Sequence, residues 1–370
     1  MEISLLSNEE NLVILLSKPR LSNEENFKLV KLLQSYLNWD KVIGMLEIHR
    51  VSGIAWENLQ KYFFVNEDNK CTFPRLYKYL HNNFKVQSIR AKEQFVYTSQ
   101  ICELFDKSGI KYVLLKGIAI SNGIYNDLGL RDFNDNDILV HPNDLNKVIQ
   151  LLREHLGYEQ GETKHYTKVK KQTRKEQLIR SMTSHEVVPF IKNVSNECLF
   201  LRQHIIDLHF SVNLMTKDRN VEIVEHWLNE RIPLNINGQV VYTLKWENML
   251  LFLCEHFYKE AVSITDIKMY KDLLLYKYCD ILFLIEYKKL DWKEIVSKGK
   301  EFNLIKQMYF TLTFVSEISD IKLLIDSLNI EPLHTDYLNH VYYYDSNRTA
   351  YKYSTSSKER LFDILKPTKL

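Results

Sequence analysis

As far as about residue 108 the apolar positions of this chain recur at helical spacing, as in Phe27, Val30, Leu33 and Leu37 and again in Ile101, Leu104 and Phe105. At Gly109 that period stops. Tyr112-Val113-Leu114-Leu115 is a short β-prone run closed by Lys116-Gly117, and helical spacing resumes from Ile118 to about Tyr125. The order is strand, glycine turn, helix. Ile138-Leu139-Val140 makes the next strand, and Pro142-Asn143-Asp144 opens a helix carrying Leu145, Val148, Leu151 and Leu152, with Gly157 as its C-cap. Strand-like composition returns over 198 to 212, CLFLRQHIIDLHFSV. From Val221 onward the sequence is amphipathic and rich in Leu, Tyr and Lys, which predicts a helical C-terminal region.

These signals predict an α+β chain, mostly helical, in which a small mixed sheet is flanked by N- and C-terminal helical regions. The expected boundaries are 1 to 108 for the N-terminal helices, 109 to 220 for the α/β core, 221 to 345 for the C-terminal helices and 346 to 370 for a polar tail, in which ERLFDIL is able to dock. At 370 residues the chain is long enough for two or three domains, and only ten glycines and seven prolines interrupt it. The hexapeptide LSNEEN occurs at 6 to 11 and at 21 to 26; each copy reads as a helix start, with Ser7 or Ser22 as N-cap and Glu10 or Glu25 closing a capping box.

Charge excludes little except a global attraction to polyanions, since 49 basic residues face 47 acidic ones. Residues 162 to 180 are the most basic segment. KVKKQTRK at 168 to 175 reads as a solvated basic loop, with Tyr166 alone for base stacking; an RNA-directed role is the weaker reading. Five scattered cysteines without a CxxC spacing predict buried thiols in a reducing compartment rather than disulfides or zinc. The N-terminus MEISLLSNEENLVILL has no basic region before its apolar run, and no apolar stretch reaches the roughly 18 residues of a membrane helix, so a cytoplasmic protein is expected.

The chemistry concentrates in RDFNDNDILV, 131 to 140. A calcium loop beginning at Asp132 fails where it needs glycine, which is Asp137, and at its last position, where Asn143 cannot give a bidentate carboxylate. An Asx-rich solvated turn remains the plain alternative. Against it stands the spacing. Asp135 and Asp137 lie two apart and lead into a strand, so both project from one face and repel unless a cation lies between them. Mg²⁺ fills that place while leaving positions open for phosphate oxygens. Upstream, Lys116-Gly117 sits where glycine lets a phosphate approach and a helix N-terminus favours its charge.

This combination resembles the polymerase-β-like nucleotidyltransferase superfamily. More narrowly, YVLLKGIAISNGIYNDLGLRDFNDNDILVHPNDLNKVIQLLREHLGY looks like the bacterial "uncharacterised nucleotidyltransferase" family, with IIDLHFSVN, CEHFY and YCDILFLIEYKKLDWKEI continuing the likeness over about 40 to 315. The resemblance implies a Mg²⁺-dependent enzyme, with Mn²⁺ as the other candidate metal, that moves a nucleoside monophosphate from an NTP such as ATP to an acceptor that the sequence does not name. It implies that Asp135 and Asp137 bind the metals, that Asp207 is a third carboxylate able to share one and act as base, and that Lys116 and Gly117 hold the triphosphate. Arg131 would neutralise a phosphate or brace Asp135, with a surface arginine as the alternative. His209, two residues after Asp207 and so on the same face, would orient a carboxylate or contact the nucleotide, with a half-buried histidine as the alternative. His165 and His185 show no metal-selecting spacing. Two positions depart from the pattern: Ile118 stands where a small residue is usual, and Asn136 where the DxD centre is usually apolar, which points to a more exposed strand edge. They motivate the second reading, a catalytically degenerate fold serving as a binding or assembly protein. No oligomeric state is implied.

Overall fold

The computed structural model describes residues 6–164, 168–213, 219–343 and 348–365. His165 and Tyr166 therefore lie outside the described residues. The chain forms two compact units, one made of Met1–Phe84 with Leu250–Leu370 and the other of Lys85–Met249.

The first unit is helical. Its opening helices Asn8–Ser17 and Asn23–Leu33 both start on the expected capping boxes, Ser7 with Glu10 and Ser22 with Glu25. Near its end the helix Ser357–Phe362 buries Arg360 and Leu361, and Arg360 Nη2 meets Asp272 Oδ1 at 2.7 Å. The docking expected of ERLFDIL thus rests on a buried ion pair as well as on leucine. A small antiparallel pair, β9 (His340–Tyr342) with β10 (Thr349–Lys352), lies in a region expected to be helical or a polar tail.

The second unit carries an eight-stranded mixed sheet built from β1 (Tyr112–Leu114), β2 (Asn136–Val140), β3 (Glu159–Lys164), β4 (Lys168–Lys171), β5 (Phe190–Asn193), β6 (Gln203–His209), β7 (Ile232–Ile236) and β8 (Gln239–Thr243). Their order is β4-β3-β5-β6-β2-β1-β8-β7. The β2 strand sits inside the sheet, parallel to β6 on one side and antiparallel to β1 on the other. Alternation then sorts the side chains. Tyr112, Leu114, Ile138, Val140, Ile206 and Leu208 share one face and join a core closed by Phe95, Ile101 and Phe105 of the helix Arg75–Lys107 and by Val148 and Leu152 of Leu145–Glu154. The odd positions of β2 and β6 face the other way.

Two expectations about element type are corrected. Residues 232 to 243, expected to be helical, form the β7–β8 hairpin, turned by Asn237 (φ 51°) and Gly238 (φ 86°). An Asn-Gly pair between β-prone runs is the strongest local hairpin signal, because both positions accept positive φ. The basic segment is not a loop either. Glu162, Thr163 and Lys164 pair with Lys170, Val169 and Lys168, and Thr173 with Glu176 caps the helix Arg174–Thr183. It is solvated as expected, for that helix buries none of its residues.

Candidate active site

Gly117 follows β1 and begins the helix Ile118–Gly123 with φ 47° and ψ −112°, a conformation open to glycine and strained for other residues. A Cβ there would stand 3.2 Å from the Asp135 carbonyl oxygen and 3.2 Å from the Phe133 ring. The glycine therefore serves a close approach inside the protein, holding the RDFND segment against the turn. Ile118 next to it is fully buried and belongs to the core, so the departure from a small residue is met by packing.

Asp137 of β2 is the register partner of Asp207 of β6. Partners on adjacent parallel strands share a face with Cα atoms roughly 4.8 Å apart, and His209, two residues along, is on that face too. Asp135 precedes the first residue of β2 rather than lying in the strand, but it is close enough that its charge acts on Asp207. Lys116 Nζ reaches Asp137 Oδ1 at 2.9 Å, and His209 Nε2 lies 3.0 Å from the same oxygen. Arg131 is buried, which removes the surface-arginine alternative. His209 is fully buried as well.

Two further residues join this face. The segment before β5 runs antiparallel to the end of β6, with Glu186 opposite His209 and Val187 N donating to Leu208 O at 3.1 Å. Between this bridge and the Phe190–Ile206 pair the register slips by one residue, a bulge beside Pro189 that re-aims the chain. Glu186 Oε2 then lies 3.5 Å from His209 Nε2 and 3.6 Å from His185 Nε2, while its other oxygen pairs with Arg180. Sequence spacing set His185 aside and passed over Glu186. Their proximity arises from strand pairing across more than twenty residues, which no local spacing records.

The electrostatics divide the carboxylates. Burial alone would raise Asp137, but the Lys116 ammonium, followed by the His209 hydrogen bond and charge, holds its carboxyl well below the ordinary range. Burial opposes ionisation of Glu186 too, and the charges of His185, His209 and Arg180 nonetheless bring it down to about 2. Asp207 takes the cost. Burial first, then the charges of Glu186, Asp135 and Asp137, push it well above the usual carboxylate value. Its Oδ1 is closed to solvent and has no hydrogen-bond partner among the described residues. Two carboxylates at about 5 Å repel by roughly 3 kcal/mol at an effective dielectric near 20. A divalent cation is the chemical remedy for such a face.

On the opposite face Asn136 is buried, not exposed at an edge, since β2 has a neighbouring strand on each side. Its Nδ2 donates to Gln94 Oε1 at 2.6 Å and lies 3.2 Å from His204 Nε2. Gln94 Nε2 donates to Phe133 O at 3.0 Å, which fixes how both amides are turned. His204 Nε2 also lies 3.0 Å from Thr98 Oγ1, and its Nδ1 lies 2.8 Å from Tyr158 Oη. Burial lowers the His204 pKa to about 3, so the ring is neutral.

The five cysteines are free, four of them buried and Cys198 half-buried. Among the described residues no helix is long and apolar enough to cross a membrane. In comparison with known proteins, a family model described as "uncharacterised nucleotidyltransferase" matches residues 35–320. No curated protein matches the chain significantly by sequence. Among solved structures, an antigenic nucleotidyltransferase-like protein from Paracoccidioides brasiliensis is similar over 63% of this chain and 91% of its own, at 16% identity and a TM-score of 0.39. A likeness of that strength supports no argument about the site.

Proposed function

The chain belongs to the uncharacterised nucleotidyltransferase family, and from that premise we propose that it transfers a nucleoside monophosphate from an NTP to an acceptor hydroxyl, using Asp135, Asp137 and Asp207. The observation that carries the reading is the register pairing of Asp137 with Asp207, with Oδ1 of Asp207 buried and unpartnered among the described residues. Bound Mg²⁺ or Mn²⁺ would neutralise these carboxylates and polarise the α-phosphate.

The remaining roles belong to the protein. Gly117 opens the helix start to a phosphate, and Lys116, on Asp137 at 2.9 Å, is within reach of the triphosphate when a nucleotide arrives. Arg131, buried beside the acidic segment, is assigned to phosphate charge or to bracing Asp135. His209 holds Asp137 through Nε2. Asp207 takes the proton from the acceptor hydroxyl. That oxygen forms a bond to the α-phosphorus as the bond to the β-phosphate oxygen breaks, and pyrophosphate leaves with the electron pair.

One observation favours the second reading, a binding protein on a degenerate site: Lys116 already places a cation on Asp137. Incubation of the full chain with α-labelled NTPs and Mg²⁺ or Mn²⁺ separates the two. Label transferred to protein, RNA or a small molecule, and lost in Asp135→Ala/Asp137→Ala, supports the enzyme. Metal-dependent nucleotide binding that the double variant leaves unchanged sinks it.

A further inference from the structure

Beside the acidic pair the same sheet face holds a group of different chemistry. His185, Glu186 and His209 each offer a ligand atom, and these atoms all lie within 4.8 Å of one another. We propose that they form a transition-metal site, for which Zn²⁺ is the natural occupant, distinct from the Mg²⁺ site assigned to Asp135, Asp137 and Asp207.

Three features carry the proposal. The first is spacing: two ligands bound to zinc at 2.0 to 2.1 Å in tetrahedral array stand roughly 3.3 to 3.5 Å apart. Glu186 Oε2 lies 3.5 Å from His209 Nε2 and 3.6 Å from His185 Nε2, so two of the three edges already have metal-site length. The second is donor type. Two imidazoles and one carboxylate suit zinc and its neighbours, whereas Mg²⁺ prefers oxygen ligands throughout. The third is support. The other oxygen of Glu186 is held by Arg180, which aims Oε2 at the imidazoles, and the chain around it is pinned to β6 by Phe210 N donating to His185 O at 3.1 Å and Val187 N to Leu208 O at 3.1 Å. Both histidines are buried, so the ligands are ordered before any metal arrives.

The consequence reaches the neighbouring site. His209 Nε2 is the atom that meets Asp137 Oδ1 at 3.0 Å. A zinc ion on Nε2 takes that nitrogen away from Asp137 and leaves this carboxylate to Lys116 and to the nucleotide's metal. The two metals are then coupled through one imidazole, while their ligand sets stay otherwise separate.

The test uses untagged, full-length protein stripped with chelator and titrated with Zn²⁺ in a large excess of Mg²⁺, with Co²⁺ as a visible-absorbance probe of the ligand field. The expected result is one Zn²⁺ per chain, unaffected by Mg²⁺. His185→Ala and the nearly isosteric Glu186→Gln should each weaken it by about 100-fold or more, since loss of a supporting residue alone costs 10- to 100-fold. Arg180→Ala should cost about 10-fold. Asp135→Asn should leave Zn²⁺ affinity unchanged while removing Mg²⁺-dependent nucleotide binding, which keeps this proposal separable from the transferase reading. Circular dichroism checks that each variant folds, and Glu186→Gln serves if His185→Ala does not. Absence of a stoichiometric Zn²⁺ under excess Mg²⁺ overturns the proposal. So does a Zn²⁺ that Asp135→Asn abolishes and Glu186→Gln spares, because that ion sits at the acidic pair.

Discussion

The two faces of β2 hold two buried polar clusters within three residues of one another, and they differ in kind. Behind the strand, Asn136, Gln94, His204 and Tyr158 are neutral and joined by hydrogen bonds of 2.6 to 3.2 Å. In front, Asp137, Asp207, Glu186 and His209 crowd charges so that one carboxyl rises and its Oδ1 lacks a partner among the described residues. The neutral network is held by its own hydrogen bonds, although Asn136 Oδ1 is buried without a partner among the described residues. A face that leaves one buried carboxyl hard to ionise beside two ion-paired ones has the perturbed titration common at ligand sites. The departure at Asn136 thus belongs to the architecture, while the acids beside it are those proposed for the chemistry.

Substitutions should separate the faces. The largest effect is expected from Asp137→Asn, which should lower nucleotidyl transfer by on the order of 10³-fold or more in the labelled-NTP assay, with folding intact. Asn136→Leu should do the reverse. It leaves Gln94 Oε1 without its donor and removes the Asn136 contact to His204 Nε2, at a cost of about 3 kcal/mol in urea unfolding, and transfer per folded molecule should change little. A large loss of turnover in folded Asn136→Leu would erase the distinction drawn between the faces. Gly117→Ala falls between, with about 2 kcal/mol of destabilisation from its positive φ and the 3.2 Å approach of Asp135 O, accompanied by weaker nucleotide binding.

Acid should report on the rear face. Burial holds His204 down at about 3, while a free imidazole titrates near 6.5. Its native partners are thus fully effective above about pH 6.5, and their contribution is lost as pH falls toward 3. The slope from this group is on the order of 1.4 kcal/mol per pH unit, and His204→Gln should flatten it in thermal scans across that window. The smallest effect expected is a gain: Asp207→Asn relieves repulsion from Glu186, Asp135 and Asp137 and should raise stability by about 1 kcal/mol at neutral pH while abolishing transfer.

Much of this was legible in the residues because its causes are local. The capping boxes need only a serine and a glutamate three apart, and the β1 turn needs only a β-prone run ended by Lys116-Gly117. What escaped depends on pairing between distant segments. Glu186 and His185 reach His209 through an antiparallel bridge and a register slip, and neither leaves a periodic trace. The partners of Asn136 come from Gln94 and His204, 42 and 68 residues away. The β7–β8 hairpin did leave a trace in Asn237-Gly238, but the Leu- and Tyr-rich helical pattern around it drew the reading.

The hairpin also sets a timetable. Leu114 of β1 pairs with Thr243 of β8, and Thr243 Oγ1 donates to Leu114 O at 2.8 Å across 129 residues. During synthesis the strand leading into the Lys116-Gly117 turn keeps an open edge until residue 243 has cleared the ribosome, so the nascent chain carries an unfinished sheet while 129 of its 370 residues are added. Stalled or truncated translation products ending before that point should therefore be the forms of this protein most dependent on chaperones and quickest to aggregate.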